Sequence, residues 1–389
     1  MKKKTVGISR IAILVETSTS WGRQIVAGIL NYSEQNGPWH LFIEPWGLEE
    51  PLAVPKGWKG DGIIACVRNP KTLAGLKNIK CPIVNISGVD VPGANFPRVT
   101  TDSVAAARIA AEFFLRRGFR NGGYFGVRGI SYVRSHQRSF ESTLKSAGAT
   151  CSTYSVFPHH GAEPDWNLNR AQLIDWLKNL PKPVGILTWN ASGSREILYA
   201  AHDAGFLVPE DIAVLSGTDD ELFCKSAYIS ISGIRPATHQ IGHQAAVLLD
   251  KLMRGKKKTS TLQLFQPLGI TERQSTDTLA IQDAILLKAI RYIRANAHRN
   301  LRVTEVVKHA ATSRRALEIR FAEQLQRTLA QEIRRTHVEK ACELLEQTDL
   351  PMPDVAEGSG FSSAERLAIV FRKEMRQPPL RYRKQIRSC

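Results

Sequence analysis

Two groups of polar side chains near the C-terminus have the residue types and the spacing that suit contacts with DNA bases. Each group starts with serine at the beginning of a predicted helix, and together they comprise Ser313, Arg314, Arg315, Glu318, Ser362, Ser363, Glu365 and Arg366. A helix that enters the major groove presents its N-terminal side chains to base edges, where Arg can bind guanine through two hydrogen bonds. The groups therefore indicate two base-reading sites. The alternative for any single Arg is an ordinary solvated helix face.

A second set of basic residues lies closer to the C-terminus. It comprises Arg372, Lys373, Arg381 and Arg383. We expect these side chains to contact phosphates, because phosphate contacts fix the position of a protein on the duplex without reading its sequence.

An apolar pattern that occurs twice, about fifty residues apart, predicts the helices that carry these side chains. Its positions are Val306, Val307, Ala311, Leu317 and Phe321 in the first copy, and Val355, Ala356, Gly360, Leu367 and Phe371 in the second. The pattern is typical of a helix, a turn and a second helix with a free polar face. We call each unit a head and its second helix the recognition helix. A predicted helix over residues 329–346 joins the two heads.

The preceding part of the chain alternates between strand and helix patterns. Apolar runs of strand length lie at residues 10–15, 39–44, 61–67, 82–87, 121–126, 153–157, 184–189 and 212–218. Helical patterns lie at residues 23–34, 103–117, 137–147, 169–179, 194–204 and 238–252. The alternation predicts doubly wound parallel sheets with helices on both faces, in two lobes across a cleft. Residues 262–270 are predicted as one returning strand, and residues 271–278 as a polar connector.

These patterns divide the 389 residues into two domains. We expect a two-lobed α/β domain over residues 1–275 and an all-α domain with tandem helix-turn-helix units over residues 276–389.

The chain is strongly basic, with a formal net charge of +17 and a pI near 9.8. Residues 278–389 hold 21 Lys and Arg against 13 Asp and Glu, whereas the rest of the chain holds 32 against 23. The positive excess is therefore about twice as dense in the C-terminal part. This favours a polyanionic partner, because Lys and Arg bind phosphates with release of counterions.

Other function classes find little support. The six cysteines show no zinc or redox spacing, which indicates reduced thiols in a cytoplasmic protein. His239 and His243 have a spacing that metals accept, but no third ligand is near in sequence, so packing is the better interpretation. Ser194 lies outside any Gly-x-Ser-x-Gly motif and no phosphate-binding Gly loop occurs, so we expect no enzyme activity and no cofactor. No apolar run is long enough to predict a membrane span.

The C-terminal domain resembles the DNA-binding domain of the AraC family of transcription regulators. The resembling runs are SRRALEIRF (313–321), EKACELL (339–345), GFSSAERLAIVFRKE (360–374) and PPLRYR (378–383).

Residues 10–275 resemble the periplasmic-binding-protein-like sensor of LacI-type regulators. The resembling runs are RQIVAGI (23–29), TTDSVAAARIAAEFFLRRGFR (100–120), LTWNASGSREIL (187–198), VPEDIAVLSGTDD (208–220) and IGHQAAVLLDKL (241–252). The two modules in this order resemble a family of xylose-responsive activators.

The resemblance implies a sugar site in the sensor. The matching positions are Arg23 after the first strand, Glu44 at the end of the second, Arg138 opening a helix, Asn190 and Asp219. All are expected near strand ends, where open parallel sheets bind ligands, and their polar groups suit sugar hydroxyls.

Trp21, Trp46 and Trp166 could stack on a sugar ring, and Trp21 ranks first because it is close to Arg23. Each site residue also has a structural alternative. Asn190 and Asp219 could cap helices, the two arginines could form ion pairs between the lobes, and the tryptophans could pack.

The chain departs from the AraC pattern in several places. Ala311 at the first turn and Arg376 before the final prolines replace glycines, His337 replaces an Arg of the connecting helix, and Arg366 and Leu367 replace a Tyr-Phe pair. Because only Gly adopts left-handed geometry freely, Ala311 is expected to reduce turn stability.

The implied function is sugar-responsive regulation of transcription. We expect a xylose-like carbohydrate to bias the lobes of a homodimeric sensor, which acts on double-stranded promoter DNA and RNA polymerase. The two heads should meet adjacent major grooves about 34 Å apart. An activator of pentose catabolism is the favoured interpretation. A repressor of the same architecture and a cytoplasmic carbohydrate-binding protein without transcriptional coupling are the alternatives.

Overall fold

The computed structural model describes residues 8–45, 47, 52–157, 166–255, 262–278, 283–325 and 327–387. The chain divides into two units, Met1–Thr278 and Leu279–Cys389. Two parallel-type sheets with helices build the first unit, and helices alone build the described part of the second. The predicted fold class is confirmed. The expected domain boundary, between residues 275 and 276, lies just before the division between the units.

The first lobe contains a six-stranded sheet with the order β11-β5-β4-β3-β1-β2 and parallel pairing throughout. Its strands are β1 (Ser9–Leu14), β2 (Trp39–Ile43), β3 (Gly62–Ala65), β4 (Ile83–Asn85), β5 (Arg98–Thr101) and β11 (Leu262–Phe265). The helices that pack here are α1 (Ser20–Asn36), α2 (Pro70–Leu76) and α8 (Thr238–Met253). α1 and α8 approach closely at Gly28, where a Cβ would lie 2.1 Å from the carbonyl oxygen of His239.

The second lobe contains a sheet with the order β12-β10-β9-β8-β6-β7, in which only β12 runs antiparallel. Its strands are β6 (Asn121–Val127), β7 (Thr150–Val156), β8 (Val184–Thr188), β9 (Ile212–Ser216), β10 (Ser232–Arg235) and β12 (Gly269–Thr271). Its helices are α3 (Ser103–Arg116), α4 (Ser131–Ser146), α5 (Trp166–Asn179), α6 (Ala191–Asp203) and α7 (Glu221–Lys225).

The chain passes between the lobes three times, after β5, after β10 and after β11. The prediction of one returning strand over residues 262–270 is therefore wrong, because β11 belongs to the first sheet and β12 to the second. Pro267 cannot donate a ladder hydrogen bond, and Gly269 has a φ of +120°, so the run breaks between them. Gln266 Nε2 donates to Asp102 Oδ2 at 2.8 Å and ties this crossing to the one after β5.

The second unit has two apolar cores that share one helix. Its helices are α9 (Ala284–Ala295), α10 (Val303–Ala310), α11 (Arg314–Leu325), α12 (Leu329–Gln347), α13 (Met352–Gly358), α14 (Ala364–Met375) and α15 (Pro379–Arg387). α12 contributes Leu329 and Ile333 to the core of the first head, and Val338, Ala341 and Leu345 to the core of the second. The predicted connecting helix is confirmed, whereas α15 was not predicted.

Two non-glycine residues of the described chain have left-handed backbone geometry, and both stand where the AraC pattern has glycine. Ala311 ends α10 with φ 53° and ψ 44°, and Arg376 ends α14 with φ 56° and ψ 16°. A side chain in this conformation places Cβ too close to the following carbonyl. Both helix ends therefore hold some backbone strain.

Replacing either residue, as Ala311→Gly or Arg376→Gly, is expected to raise the free energy of unfolding of the helical unit by about 1 kcal/mol, because Gly tolerates this geometry. Urea unfolding followed by far-ultraviolet circular dichroism measures the change. All seven tryptophans lie in the first unit, so their fluorescence should show unchanged unfolding of that unit.

The matched control is Gly360→Ala in the turn of the second head. Gly360 has a φ of +78°, and a Cβ there would lie 2.6 Å from the carbonyl oxygen of Arg299 and 2.8 Å from Nε2 of His337. This variant should lower the same unfolding midpoint. An unchanged or lowered midpoint for both glycine variants would contradict the proposed strain.

Candidate ligand cleft and DNA-reading surface

The two lobes contact each other through residues that follow the carboxyl ends of parallel strands. Ser20 Oγ, after β1, donates to Asp220 Oδ2, after β9, at 2.7 Å. The amide of Asp90, after β4, donates to Ser131 Oγ at the start of α4, also at 2.7 Å. These bonds define a cleft between strand ends, which is the position where open α/β sheets bind ligands.

A buried ion pair lies at the strand ends of each lobe. Glu16, after β1, pairs with Arg68, after β3, at 2.6 Å, and their side chains are 5% and 24% exposed. Asp219, after β9, pairs with Arg273 at 2.8 Å, with 9% and 11% exposure. Thr271 Oγ1 also donates to Asp219 Oδ2 at 2.5 Å.

The carboxylate oxygen that faces the arginine in each pair can accept a further hydrogen bond. Glu16 Oε1 lies 2.6 Å from Arg68 Nη1 and Asp219 Oδ1 lies 2.8 Å from Arg273 Nη2, and a carboxylate oxygen has a second lone pair for another donor. A buried carboxylate oxygen in this state is stabilised by a hydroxyl donor. Both oxygens are thus suited to polyhydroxylated ligands.

Two groups near the strand ends, the Tyr132 hydroxyl and the Cys66 thiol, have raised pKa values. Tyr132, in the first turn of α4, packs over Gly88, where a Cβ would lie 3.5 Å from the tyrosine ring. Burial raises the pKa of Tyr132 to about 12, so its hydroxyl stays protonated at neutral pH. Burial, followed by the charge of Glu16, raises the pKa of the Cys66 thiol as well.

Arg23 and Glu44 both lie beside the loop between β1 and α1. Arg23 Nη1 donates to the carbonyl oxygens of Thr17 at 2.9 Å and Ser18 at 3.0 Å. Thr17 Oγ1 donates to the carbonyl oxygen of Glu44 at 3.4 Å. The side chains of Arg23 and Glu44 are exposed, so the two residues border the cleft without being buried in it.

The tryptophans give little support for a stacking platform. Trp21 is half-buried and packs against the apolar core of the first lobe. Trp46 and the side chain of Trp166 lie outside the described residues.

Asn190 is the N-cap of α6, where its Oδ1 accepts from the amide of Gly193 at 2.8 Å. Asp219 is not a cap, because Asp220 caps α7.

Arg138 does not open a helix. α4 begins at Ser131, and Arg138 lies exposed in its middle. The first two turns contain mostly polar residues, which hid the helical period from the sequence analysis.

The recognition helices are α11 and α14, and each is capped by a predicted serine. Ser313 Oγ accepts from the amide of Ala316 at 3.2 Å, and Ser363 Oγ accepts from the amide of Arg366 at 3.2 Å. The capping serines are exposed, and so are these side chains at the helix starts or in the preceding turn: Ser362, Arg314, Arg315, Glu365 and Arg366. A hydrogen bond from Ser363 lowers the pKa of Glu365, which is therefore ionised at neutral pH. Each head thus presents charged groups at its helix start.

Besides the capping serines, two more of the predicted DNA contacts are engaged within the helical unit. Glu318 Oε2 accepts from the amide of Leu329 at 3.2 Å, next to the N-cap Thr328 of α12. Arg383 Nη2 donates to the carbonyl oxygen of Leu350 at 2.7 Å. Arg372, Lys373 and Arg381 are exposed and remain suited to phosphate contacts.

A buried carboxylate fixes the start of α12. Glu332 has a side-chain exposure of 2% and lies 2.7 Å from Arg327 and 3.0 Å from Arg335. Further along the helix, the ring of His337 meets that of Phe361 edge-on, with centroids 5.7 Å apart. Burial lowers the pKa of His337, so a neutral ring occupies this position of the AraC pattern at neutral pH.

The described residues show neither a membrane-spanning helix nor a group of metal ligands. None of their helices is long and apolar enough to cross a membrane. In this same part of the chain, no three His, Cys, Asp or Glu side chains are grouped as a metal site would require. His243 instead packs edge-on against Tyr32, with ring centroids 5.5 Å apart.

Three charged residues of the cleft, Glu16, Arg68 and Arg273, were not predicted from the sequence. Glu16 and Arg68 each end an apolar strand run, which was the available signal. Arg273 lies in the stretch that was predicted to be only a connector.

Asp219→Asn is expected to lower the free energy of unfolding of the first unit by about 3 kcal/mol without ligand, because it leaves the Arg273 cation buried and unpaired. Urea unfolding followed by tryptophan fluorescence measures this loss. The control Glu272→Gln removes an exposed partner of Arg117 and should change the value by less than about 0.5 kcal/mol. Equal effects of the two substitutions would refute the structural role of Asp219.

Family models match the chain at three places. They describe a XylR N-terminal domain at residues 10–107, a periplasmic binding protein-like domain at residues 111–276 and a helix-turn-helix domain at residues 306–385.

Similar proteins align over nearly the whole chain. The xylose operon regulatory protein of Haemophilus influenzae is 28% identical over 388 residues, which cover 96% of this chain and 98% of that protein. Its counterpart in Escherichia coli K12 is 27% identical, with 96% of each chain covered.

Solved structures agree with this alignment. The structure of the xylose-binding transcription activator XylR matches with a TM-score of 0.77 at 26% identity and covers 97% of this chain and 98% of that chain. A LacI-type regulator from Alkaliphilus metalliredigens, complexed with D-xylulofuranose, shares the fold over 69% of this chain and all of its own, with a TM-score of 0.52 at 16% identity. The chain therefore combines a periplasmic-binding-protein-like domain with a helix-turn-helix domain, and it is similar over nearly its whole length to regulators of xylose operons.

Proposed function

We propose that this protein activates genes of xylose catabolism when a xylose-like sugar binds between its lobes. Residues 1–275 would sense the sugar and residues 276–389 would bind promoter DNA. The observation that carries the proposal is the pair of serine-capped recognition helices with exposed charged starts, held on one shared helix. The names of the similar regulators supply the choice of xylose.

The sugar would bind at the strand ends of both lobes. Glu16 Oε1 and Asp219 Oδ1 are buried acceptors, and Arg68 and Arg273 are the cations beside them. Such groups can accept from and donate to adjacent hydroxyls of a monosaccharide.

The residues inferred from the resemblance would contribute to sugar binding in different ways. Asn190 would offer its amide from the cap of α6, and Arg23 and Glu44 would border the entrance. Trp21 would contribute packing behind the loop. Arg138 is the weakest candidate, because it is exposed in the middle of α4.

Sugar binding would favour the closed arrangement of the lobes. The bond from Ser20 to Asp220 joins them, and Asp220 also caps α7 on the second lobe. The three chain crossings allow the lobes to rotate as bodies. A ligand that contacts both lobes binds the closed state better and shifts the population towards it.

The regulatory output would require partners. A homodimer would bring four heads to the promoter, and contact with RNA polymerase would convert occupancy into transcription. Coupling between sugar and DNA is reciprocal, so DNA that favours one lobe arrangement also changes sugar affinity.

The proposal is tested by gel-shift titration of the promoter next to the gene, with and without D-xylose. Arg315→Ala and Arg366→Ala are each expected to weaken binding roughly 5- to 100-fold, because each removes a contact worth about 1–3 kcal/mol. Arg116→Ala is the matched control, since Arg116 is 65% exposed in the first unit.

D-xylose should raise both the melting temperature of the sensor and promoter-driven reporter expression, whereas a panel of other monosaccharides tests the choice of sugar. A fall in expression on sugar addition would identify a repressor. Unchanged promoter affinity in both arginine variants would refute the assignment of the recognition helices.

A further inference from the structure

Each recognition helix exposes an isoleucine at the same position. Ile319 is the sixth residue of α11 and is 47% exposed, and Ile369 is the sixth residue of α14 and is 63% exposed. Leu317 and Leu367, two positions earlier in the same helices, are fully buried. The other large apolar side chains of the described helical unit with comparable exposure, Leu350 and Leu380, lie outside the recognition helices. Recurrence at the same position of both recognition helices distinguishes the two isoleucines from scattered exposed apolar residues.

Charged groups surround both isoleucines on the same helix faces. Residues four apart lie one above the other on a helix, so Ile319 lies between Arg315 and Glu323. In the same way, Ile369 lies between Glu365 and Lys373. These neighbours are exposed, and each isoleucine therefore has one basic and one acidic neighbour. Such a face suits the major groove, where phosphates attract the basic group, base amino groups donate to the acidic one and thymine adds a methyl group.

We propose that Ile319 and Ile369 each contact the C5-methyl group of a thymine, so that both heads require thymine at the corresponding position of their contact sequences. This inference rests on the proposed function and adds a base preference to it. A β-branched side chain in a helix has one strongly preferred rotamer, so little side-chain entropy is lost on contact.

The neighbouring positions differ between the heads. The second residue of the recognition helix is Arg315 in the first head and Glu365 in the second. Arg pairs with guanine, whereas Glu accepts from the amino group of cytosine. The two contact sequences should therefore share thymine at the isoleucine position and differ at the position read by the second residue.

In vitro selection from random duplexes tests the inference with the full chain. The wild-type protein should enrich two contact sequences with thymine at one position each. Ile319→Ala should abolish the thymine preference in one sequence and Ile369→Ala in the other, while all other positions keep their preference. Alanine favours helix formation, so both variants should fold. Leu264→Ala, which truncates a side chain that is 50% exposed in the first unit, is the control.

Replacement of those thymines by uracil removes the methyl group alone. Wild-type affinity for the selected duplex should fall roughly fivefold or more per position, since a buried methyl contact contributes about 1 kcal/mol. The matching isoleucine variant should bind the thymine and uracil duplexes equally.

The outcomes separate the two proposals. If the wild-type chain enriches no sequence, the proposed function fails. If it enriches a sequence but both isoleucine variants keep the thymine preference, or uracil changes nothing, the thymine-methyl inference is overturned and the proposed function stands.

Discussion

The helical unit depends on one constraint: α12 is packed into two cores at once. Leu329 and Ile333 close the first head, and Ala341 and Leu345 close the second, so the two recognition helices cannot rotate independently without exposing apolar surface. The ion pairs of buried Glu332 hold the start of the same helix. Such a carboxylate stabilises only in this geometry, because it is costly when unpaired. The spacing of the recognition helices is thus built into the fold.

The two lobes of the sensor are held together less firmly than the two heads. Three chain crossings join them, and few hydrogen bonds between described residues cross the cleft. The ion pairs Glu16–Arg68 and Asp219–Arg273 each lie within one lobe, so charged groups stand ready without locking the lobes together. The bond from Ser20 to Asp220 does join them. In the proposed mechanism, closure would depend on weak contacts that a ligand can outweigh, and the charged groups that would bind the ligand are organised in advance by their ion pairs.

The sequence was informative wherever local pattern decides structure. The connecting helix, predicted over residues 329–346, spans Leu329–Gln347, and the alternation of strands and helices correctly predicted two doubly wound lobes. The pairing of Glu16 with Arg68 could not be predicted from the sequence. That contact follows from the adjacency of β1 and β3, which are far apart in the chain. Short strands such as β5 and β10 were not predicted, because four residues are too few to show a strand's alternation of apolar and polar residues. Ile319 was overlooked because an apolar residue in a helix is expected inside.

The fixed spacing of the two recognition helices is tested most directly by inserting about five base pairs between the two contact sequences of one protomer. The quantity to measure is the affinity of the full chain for this duplex and for the selected duplex. This half turn moves the second groove to the opposite face of the duplex. If α12 fixes the recognition helices, affinity should fall to that of a duplex with one contact sequence. Equal affinity before and after the insertion would contradict a rigid pair of heads.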